Sequence, residues 1–195
     1  MGKATTAYLL TCAAIGVATG LLIIPMTALS TLTYATFPPL GALTAGAWVI
    51  GFVIAMRLIE KPGAAVLTGL ISGLVAAPFS ASGPAIVVTN VMFAAFIELP
   101  FLVTLYRKWG RGLYYVGALS AFVLYALWTV TSANMTAFPW WVVVLYVVGL
   151  LASAAVATWL GLVIADRLRA AGVARLARRR AAAADPAPVA PVAEG

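Results

Sequence analysis

The chain contains no histidine, a single cysteine and only five acidic residues in 195. Without histidine it lacks the commonest metal ligand and the commonest general base. The lone Cys12 can form neither an internal disulfide nor a thiolate cluster. No metal, no cofactor and no nucleophile–base catalysis are expected on that inventory. Charge is also missing in long blocks, with none at residues 4–56, 62–97 and 112–165. A G-x-x-x-x-G-K-[ST] phosphate loop is absent, which argues against ATP hydrolysis by this chain. There is no visible two-fold internal repeat and no series of intramembrane charges, features expected of a proton-driven carrier.

What fills the chain instead is apolar: 64% of residues are hydrophobic and 9% charged, with a mean hydropathy of +1.08. Most long segments exceed what a soluble core could hide, so the chain reads as a multi-pass membrane protein. The net charge of +7 would suggest nucleic acid in a soluble protein. Here the basic residues fall between apolar runs and near the carboxyl end, the pattern of the positive-inside rule. Lipid headgroups, not nucleic acid, are the partners expected for that charge.

Six spans are expected, at residues 7–24, 40–58, 64–77, 84–108, 113–131 and 140–165. The first lacks a persuasive cleavage site and is followed by more spans, so it reads as a helix and not a signal peptide. The second and fourth connections and both termini carry the basic residues, which predicts an all-α six-helix bundle with both termini cytoplasmic. Residues 169–195 read as a basic surface helix followed by a disordered Ala/Pro-rich end. In the first span Ala14 and Ala18 lie four apart beside Gly16 and Gly20, small enough for another helix to approach closely. That helix could belong to this bundle or to a partner. Residues 25–39, uncharged and rich in Thr and Ser, read as a loop carrying Tyr34, either a lid or a passive interfacial segment. The third span is short and stops at Pro78, which could leave a recess lined by polar backbone.

The stretch at residues 84–108 concentrates the chemistry, because it carries Asn90 and a solitary acid, Glu98. At 1.5 Å per residue Glu98 lies roughly 20 Å from the outer end of its helix, near or just past mid-bilayer. A carboxylate there costs several kcal/mol unless it faces a cavity, finds a partner or is protonated. Three readings stay open: a ligand anchor with Asn90 on a shared face, a helix–helix hydrogen bond, and a proton relay. Tyr34, Tyr125 and Trp128, with Trp48 below them, could stack on a flat heterocycle or a cation, and Asn134 in the fifth connection could hydrogen-bond it. Trp140 and Trp141 read as interfacial anchors.

Residues 61–65, Lys-Pro-Gly-Ala-Ala, together with Ser82-Gly83-Pro84, Glu98 and the basic close at residues 107–109, resemble the YkoE family. Gly149-Leu150-Leu151-Ala152-Ser153 and Ala165-Asp166-Arg167-Leu168 extend the resemblance, which covers about residues 7–176. That family comprises membrane-embedded substrate-binding subunits, the S components, of energy-coupling factor (ECF) importers linked with thiamine and hydroxymethylpyrimidine. The resemblance implies that residues 1–168 form a six-helix substrate-binding domain in the bacterial plasma membrane. It also implies an outward pocket under the first loop, and partners comprising a transmembrane coupling protein and two ATPase subunits. Ala14 and Ala18 match the pattern that contacts the coupling protein in S components. The chain departs from the family late in the third span, where Ala76 and Ala77 replace an acidic residue. Alternatives from other classes are a small self-sufficient proton-coupled carrier using Glu98, and a lipid-directed membrane enzyme, which lacks a second catalytic group beside Glu98.

Overall fold

The computed structural model describes residues 6–132 and 135–172. Among these residues all regular structure is helical. The first helix, α1 (Thr6–Thr36), is 31 residues long and contains Pro25. Its length of about 46 Å exceeds a hydrocarbon core of about 30 Å. The loop expected at residues 25–39 is therefore mostly helix. Its hydroxyls explain the continuation: Thr27, Thr31, Thr33 and Thr36 each donate to the carbonyl four residues earlier, at 2.8–2.9 Å. Side chains satisfied within the helix give the backbone no competing partner, and a proline is tolerated in a membrane helix where neighbouring helices cover the break.

After Phe37 the chain reverses into α2 (Pro38–Thr44), breaks at Ala45 and Gly46, and resumes as α3 (Ala47–Ile59). One span was expected here, at residues 40–58. The interruption lies against α7 (Trp140–Ala170): a Cβ on Gly46 would collide with the Ser153 carbonyl oxygen. Ser153 Oγ in turn donates to the Ala42 carbonyl at 2.9 Å, satisfying an acceptor near the end of α2.

The third expected span appears as α4 (Ala64–Ala76), extended by one 3-10 turn at Ala77–Phe79. It is shorter than a full crossing. Among the described residues, five helices are long and apolar enough to cross a membrane, counting α2 and α3 together as one. Helix α5 (Ala85–Val103) ends five residues before the expected boundary at Lys108, because Leu105 and Tyr106 take positive φ values of 52° and 55° and turn the chain. Helix α6 (Arg111–Ser132) follows, and α7 runs to Ala170, beyond the expected Ala165. The remainder of the tail lies outside the described residues.

Helix α4 packs between α1 and α5, while α7 packs on α2, α3 and α6. Close approach is built from glycine. A Cβ at Gly20 would lie 2.8 Å from the Ser72 carbonyl oxygen, and one at Gly73 would lie 2.6 Å from the Val87 Cα. Without a hydrophobic drive between helices in lipid, such contacts supply the packing. Ala14 and Ala18, by contrast, are exposed. At the opposite end from the α2 hairpin, an ionic chain ties α3, α6 and α7. Arg111 meets Asp166 at 2.6 Å, Asp166 meets Arg57 at 3.0 Å, Arg57 meets Glu60 at 3.5 Å, and Glu60 meets Arg169 at 2.8 Å.

Replacing Gly73 by Leu should force α4 from α5 and cost about 1–3 kcal/mol. Thermal melting of the detergent-solubilised protein should show a clear drop, while Gly112→Ala, with nothing within 4 Å of the added Cβ, should melt like wild type.

Candidate functional site

Thr27, Ser30, Thr31 and Tyr34 recur at spacings of three and four, so the polar second half of α1 presents them on one face. That face closes a cavity of about 430 Å³ together with Trp48 of α3, Tyr125, Trp128 and Thr129 of α6, and Tyr146 of α7. Tyr34 meets Tyr146 edge-on at 6.1 Å, and Tyr125 lies beside Trp128 at 6.0 Å with the rings 37° apart. Phe93 of α5 packs behind Tyr125 at 5.5 Å. No lining residue carries a formal charge. Thr27, Thr31, Thr129 and Ser132 spend their hydroxyl protons on carbonyls of their own helices, leaving oxygen lone pairs toward a guest. The walls thus offer flat aromatic faces and hydrogen-bond acceptors, a combination suited to a planar ring bearing amino or hydroxyl donors.

Four residues singled out from the sequence, Tyr34, Trp48, Tyr125 and Trp128, meet in this one cavity. Glu98 does not join them. On α5 it lies about 140° around the helix from Phe93 and about 180° from Thr89, the residues of that helix nearest the aromatic cluster. It lines a separate cleft of about 490 Å³ with Val66, Met92, Phe96, Leu99 and Tyr106. Its oxygens accept the backbone N–H groups of Gly63 and, at 3.3 Å, Val66, and the Tyr106 hydroxyl at 2.8 Å. Gly63 has no side chain to cap α4 and takes φ 79°, so Glu98 supplies the cap from another helix. The partial positive end of α4 faces the carboxyl group. The solitary acid expected near mid-bilayer as a ligand anchor therefore sits at the level of the first turn of α4, three residues past Glu60, with its acceptors committed to the protein.

The tight turn after Val103 makes this possible. Tyr106 N–H bonds back to the Phe101 carbonyl at 2.7 Å, which folds the phenol onto the helix it has just left. Burial, and then the hydrogen bond to Glu98, push the Tyr106 phenol well above its usual range. Nearby, the Tyr8 hydroxyl donates to the Pro62 carbonyl at 3.2 Å, with the Lys61 ammonium 5.6 Å from the Tyr8 ring centre.

Asn90 is fully buried, with neither side-chain atom hydrogen-bonded among the described residues. Its carbonyl lies where Gly69 lets α4 approach. Asn134 lies outside the described residues. Trp140 and Trp141 are exposed and stand outside the cavity. Sequence reasoning missed Tyr146, although Val142, Tyr146, Gly149, Leu150 and Ser153 mark one buried face of α7 at helical spacing. It also missed Tyr106 and the uncapped start of α4 at Gly63, the signal that an acceptor must arrive from elsewhere.

Glu98→Gln keeps the shape but weakens three hydrogen bonds, so melting should report a loss of about 2–3 kcal/mol. The contribution of Tyr106 has a defined pH window. Because its pKa is raised in the fold, its stabilisation is complete below the unfolded value near 10 and is lost only as pH climbs through the higher folded value. Wild type should therefore lose stability more steeply than Tyr106→Phe above about pH 10, and the two melting curves should run parallel from pH 6 to 9.

Residues 8–124, more than half of the chain, match the family described as "ABC-type cobalt transport system, permease component". A curated protein of Bacillus subtilis (strain 168), "Putative HMP/thiamine permease protein YkoE", is 28% identical over 130 residues. That alignment covers 66% of this chain and 65% of the relative, so the chain matches just under two thirds of the relative's length. A solved structure described as "Crystal structure of an S-component of ECF transporter" superposes with a TM-score of 0.78 at 22% identity, covering 95% of this chain and 99% of that one. These relatives are transport components and not enzymes. With helices fit to cross a membrane, the S-component fold and a family match over most of its spans, the chain is a multi-pass plasma-membrane protein belonging to the permease-component family of ABC-type transport systems.

Proposed function

We propose that this protein is the substrate-binding S component of an ECF-type importer, taking thiamine or its hydroxymethylpyrimidine precursor into the aromatic cavity. The observation that carries the reading is an uncharged cavity walled by Tyr34, Tyr125, Trp128 and Tyr146 and rimmed by hydroxyl oxygens. An aminopyrimidine presents a flat face for those rings and an amino group for those acceptors. A thiazolium cation is also favoured over ring faces. Asn90, buried and unpartnered on α5, is a further hydrogen-bonding candidate, as is Asn134 in the fifth connection. The similarity to the Bacillus subtilis permease supports the same cargo. A cobalt ion does not suit the donors here. The chain has no histidine, and among the described residues no three His, Cys, Asp or Glu side chains gather.

Six spans with both termini cytoplasmic agree with the arrangement of charge. Arg57, Glu60, Arg111, Asp166 and Arg169 interlock at one end, and the aromatic cavity lies toward the other. The positive-inside rule makes the charged end cytoplasmic and the cavity outward. The chain has no phosphate loop, so inward release depends on a transmembrane coupling protein and two ATPase subunits. On α1, Gly16 and Gly20 are buried against α4, which leaves exposed Ala14 and Ala18 as the surface for the coupling protein. A self-sufficient proton-coupled carrier would instead need Glu98 on a path through the bundle, whereas its oxygens are engaged by α4 and Tyr106.

Titration calorimetry of the purified protein should give saturable binding of hydroxymethylpyrimidine or thiamine. Trp128→Ala, at a largely exposed position, should weaken it about three- to tenfold through lost stacking. Absence of binding by both compounds would overturn the cargo assignment. Vesicles holding this protein alone should bind without accumulating ligand under a pH gradient, and accumulation would favour the carrier.

A further inference from the structure

We propose that Trp48 is a specificity-determining residue whose indole N–H hydrogen-bonds an acceptor atom at the deep end of the cargo. The inference rests on the cargo reading above and names how one end of that ligand is recognised. Trp48 stands in the first turn of α3, just past the break at Gly46, and lines two spaces at once. One is the aromatic cavity. The other is a chamber of about 50 Å³ bounded by Ala45, Thr89, Phe93, Phe122 and Tyr125, which shares Ala45, Trp48 and Tyr125 with that cavity. The chamber is a floor to the cavity, large enough for a ring substituent but not for a second ring.

The donors facing these spaces are unevenly spent. Thr27, Thr31, Thr129 and Ser132 give their protons to their own helices. Trp48 Nε1 is buried and has no acceptor among the described residues, although the rest of the side chain is half-buried. A donor hidden from water and unpaired is destabilising. Phenylalanine would fill most of the same space without that cost. Because Trp48 lines the chamber, an acceptor entering it can meet that N–H and offset the cost. The selectivity follows from chemistry. A site whose indole donor is unspent at its deep end accepts a ring nitrogen or ether oxygen there and discriminates against an analogue lacking it. With no cation in the lining, it also discriminates against a phosphate ester of the same ring.

The signature of this role is opposite effects on the empty and loaded protein. Trp48→Phe in the full-length protein should melt at or above the wild-type temperature without ligand, because an unpaired buried donor has been removed. Its affinity for hydroxymethylpyrimidine should fall about tenfold. The carbocyclic analogue of that compound, with ring nitrogens replaced by CH, should bind wild type and Trp48→Phe alike. In ¹⁵N-indole-labelled wild type, the Trp48 N–H resonance, assigned by its loss in Trp48→Phe, should move downfield on adding hydroxymethylpyrimidine. Equal affinity of the two proteins for hydroxymethylpyrimidine, or an unmoved indole resonance at saturation, would overturn the role of Trp48 while leaving the cargo reading intact. Failure of wild type to bind hydroxymethylpyrimidine or thiamine would overturn both.

Discussion

The N–H groups that open α4 have no cap of their own, and the Glu98 carboxyl group from α5 supplies one. This is a strong constraint because Glu98 is buried, and a backbone donor left unpaired beside it would be costly. Pinning Glu98 to Gly63 and Val66 fixes the rotation of α5 about its axis. Thr89 and Phe93 are thereby turned to the opposite face, where they back the aromatic cluster. The short α4 is held at one end by this contact and along its length by the glycine approaches to α1 and α5. The one acid inside an apolar helix thus holds α5 to α4 and lines a different cleft from the aromatic cavity.

Polar groups divide into two regions along the bundle. At the charged end, acids are consumed by neighbours: Glu60 and Asp166 by Arg57, Arg111 and Arg169, and Glu98 by α4 and Tyr106. At the other end there is no formal charge, only ring faces, hydroxyl oxygens bonded into helices, and the unpaired groups of Trp48 and Asn90. On the proposed reading, capture and later release of a small heterocycle would be helped by a site without strong ion pairs, since deep electrostatic binding would oppose release. The rigid charged end and the polarizable, uncharged cavity suit that division of labour.

Helix class and the approximate positions of five membrane-length helices were legible because hydrophobic runs of that length carry their own signal, whereas the third expected span is a shorter helix. Tyr34, Trp48, Tyr125 and Trp128 were legible as a set because large amphipathic rings toward one end of apolar helices have few other uses. The continuation of α1 through Pro25 was not, since a Thr-rich segment reads as a loop until its hydroxyls are seen bonded to carbonyls four residues back. Nor was the direction of Glu98. Its depth could be counted along the helix, but the face it occupies depends on where α4 begins and on the left-handed turn at Leu105 and Tyr106, which bring its three donors together. Tyr146 escaped notice because one tyrosine in a 31-residue apolar helix is unremarkable until the buried face is known.

The central claim is that cargo is held by the aromatic cavity while Glu98 holds the protein together. A structure of the protein solved with hydroxymethylpyrimidine bound tests it most directly. The account predicts the ring between Tyr34, Tyr125 and Trp128, with Glu98 still accepting from Gly63, Val66 and Tyr106. A ligand amino group seated on Glu98, with the first turn of α4 released, would contradict it.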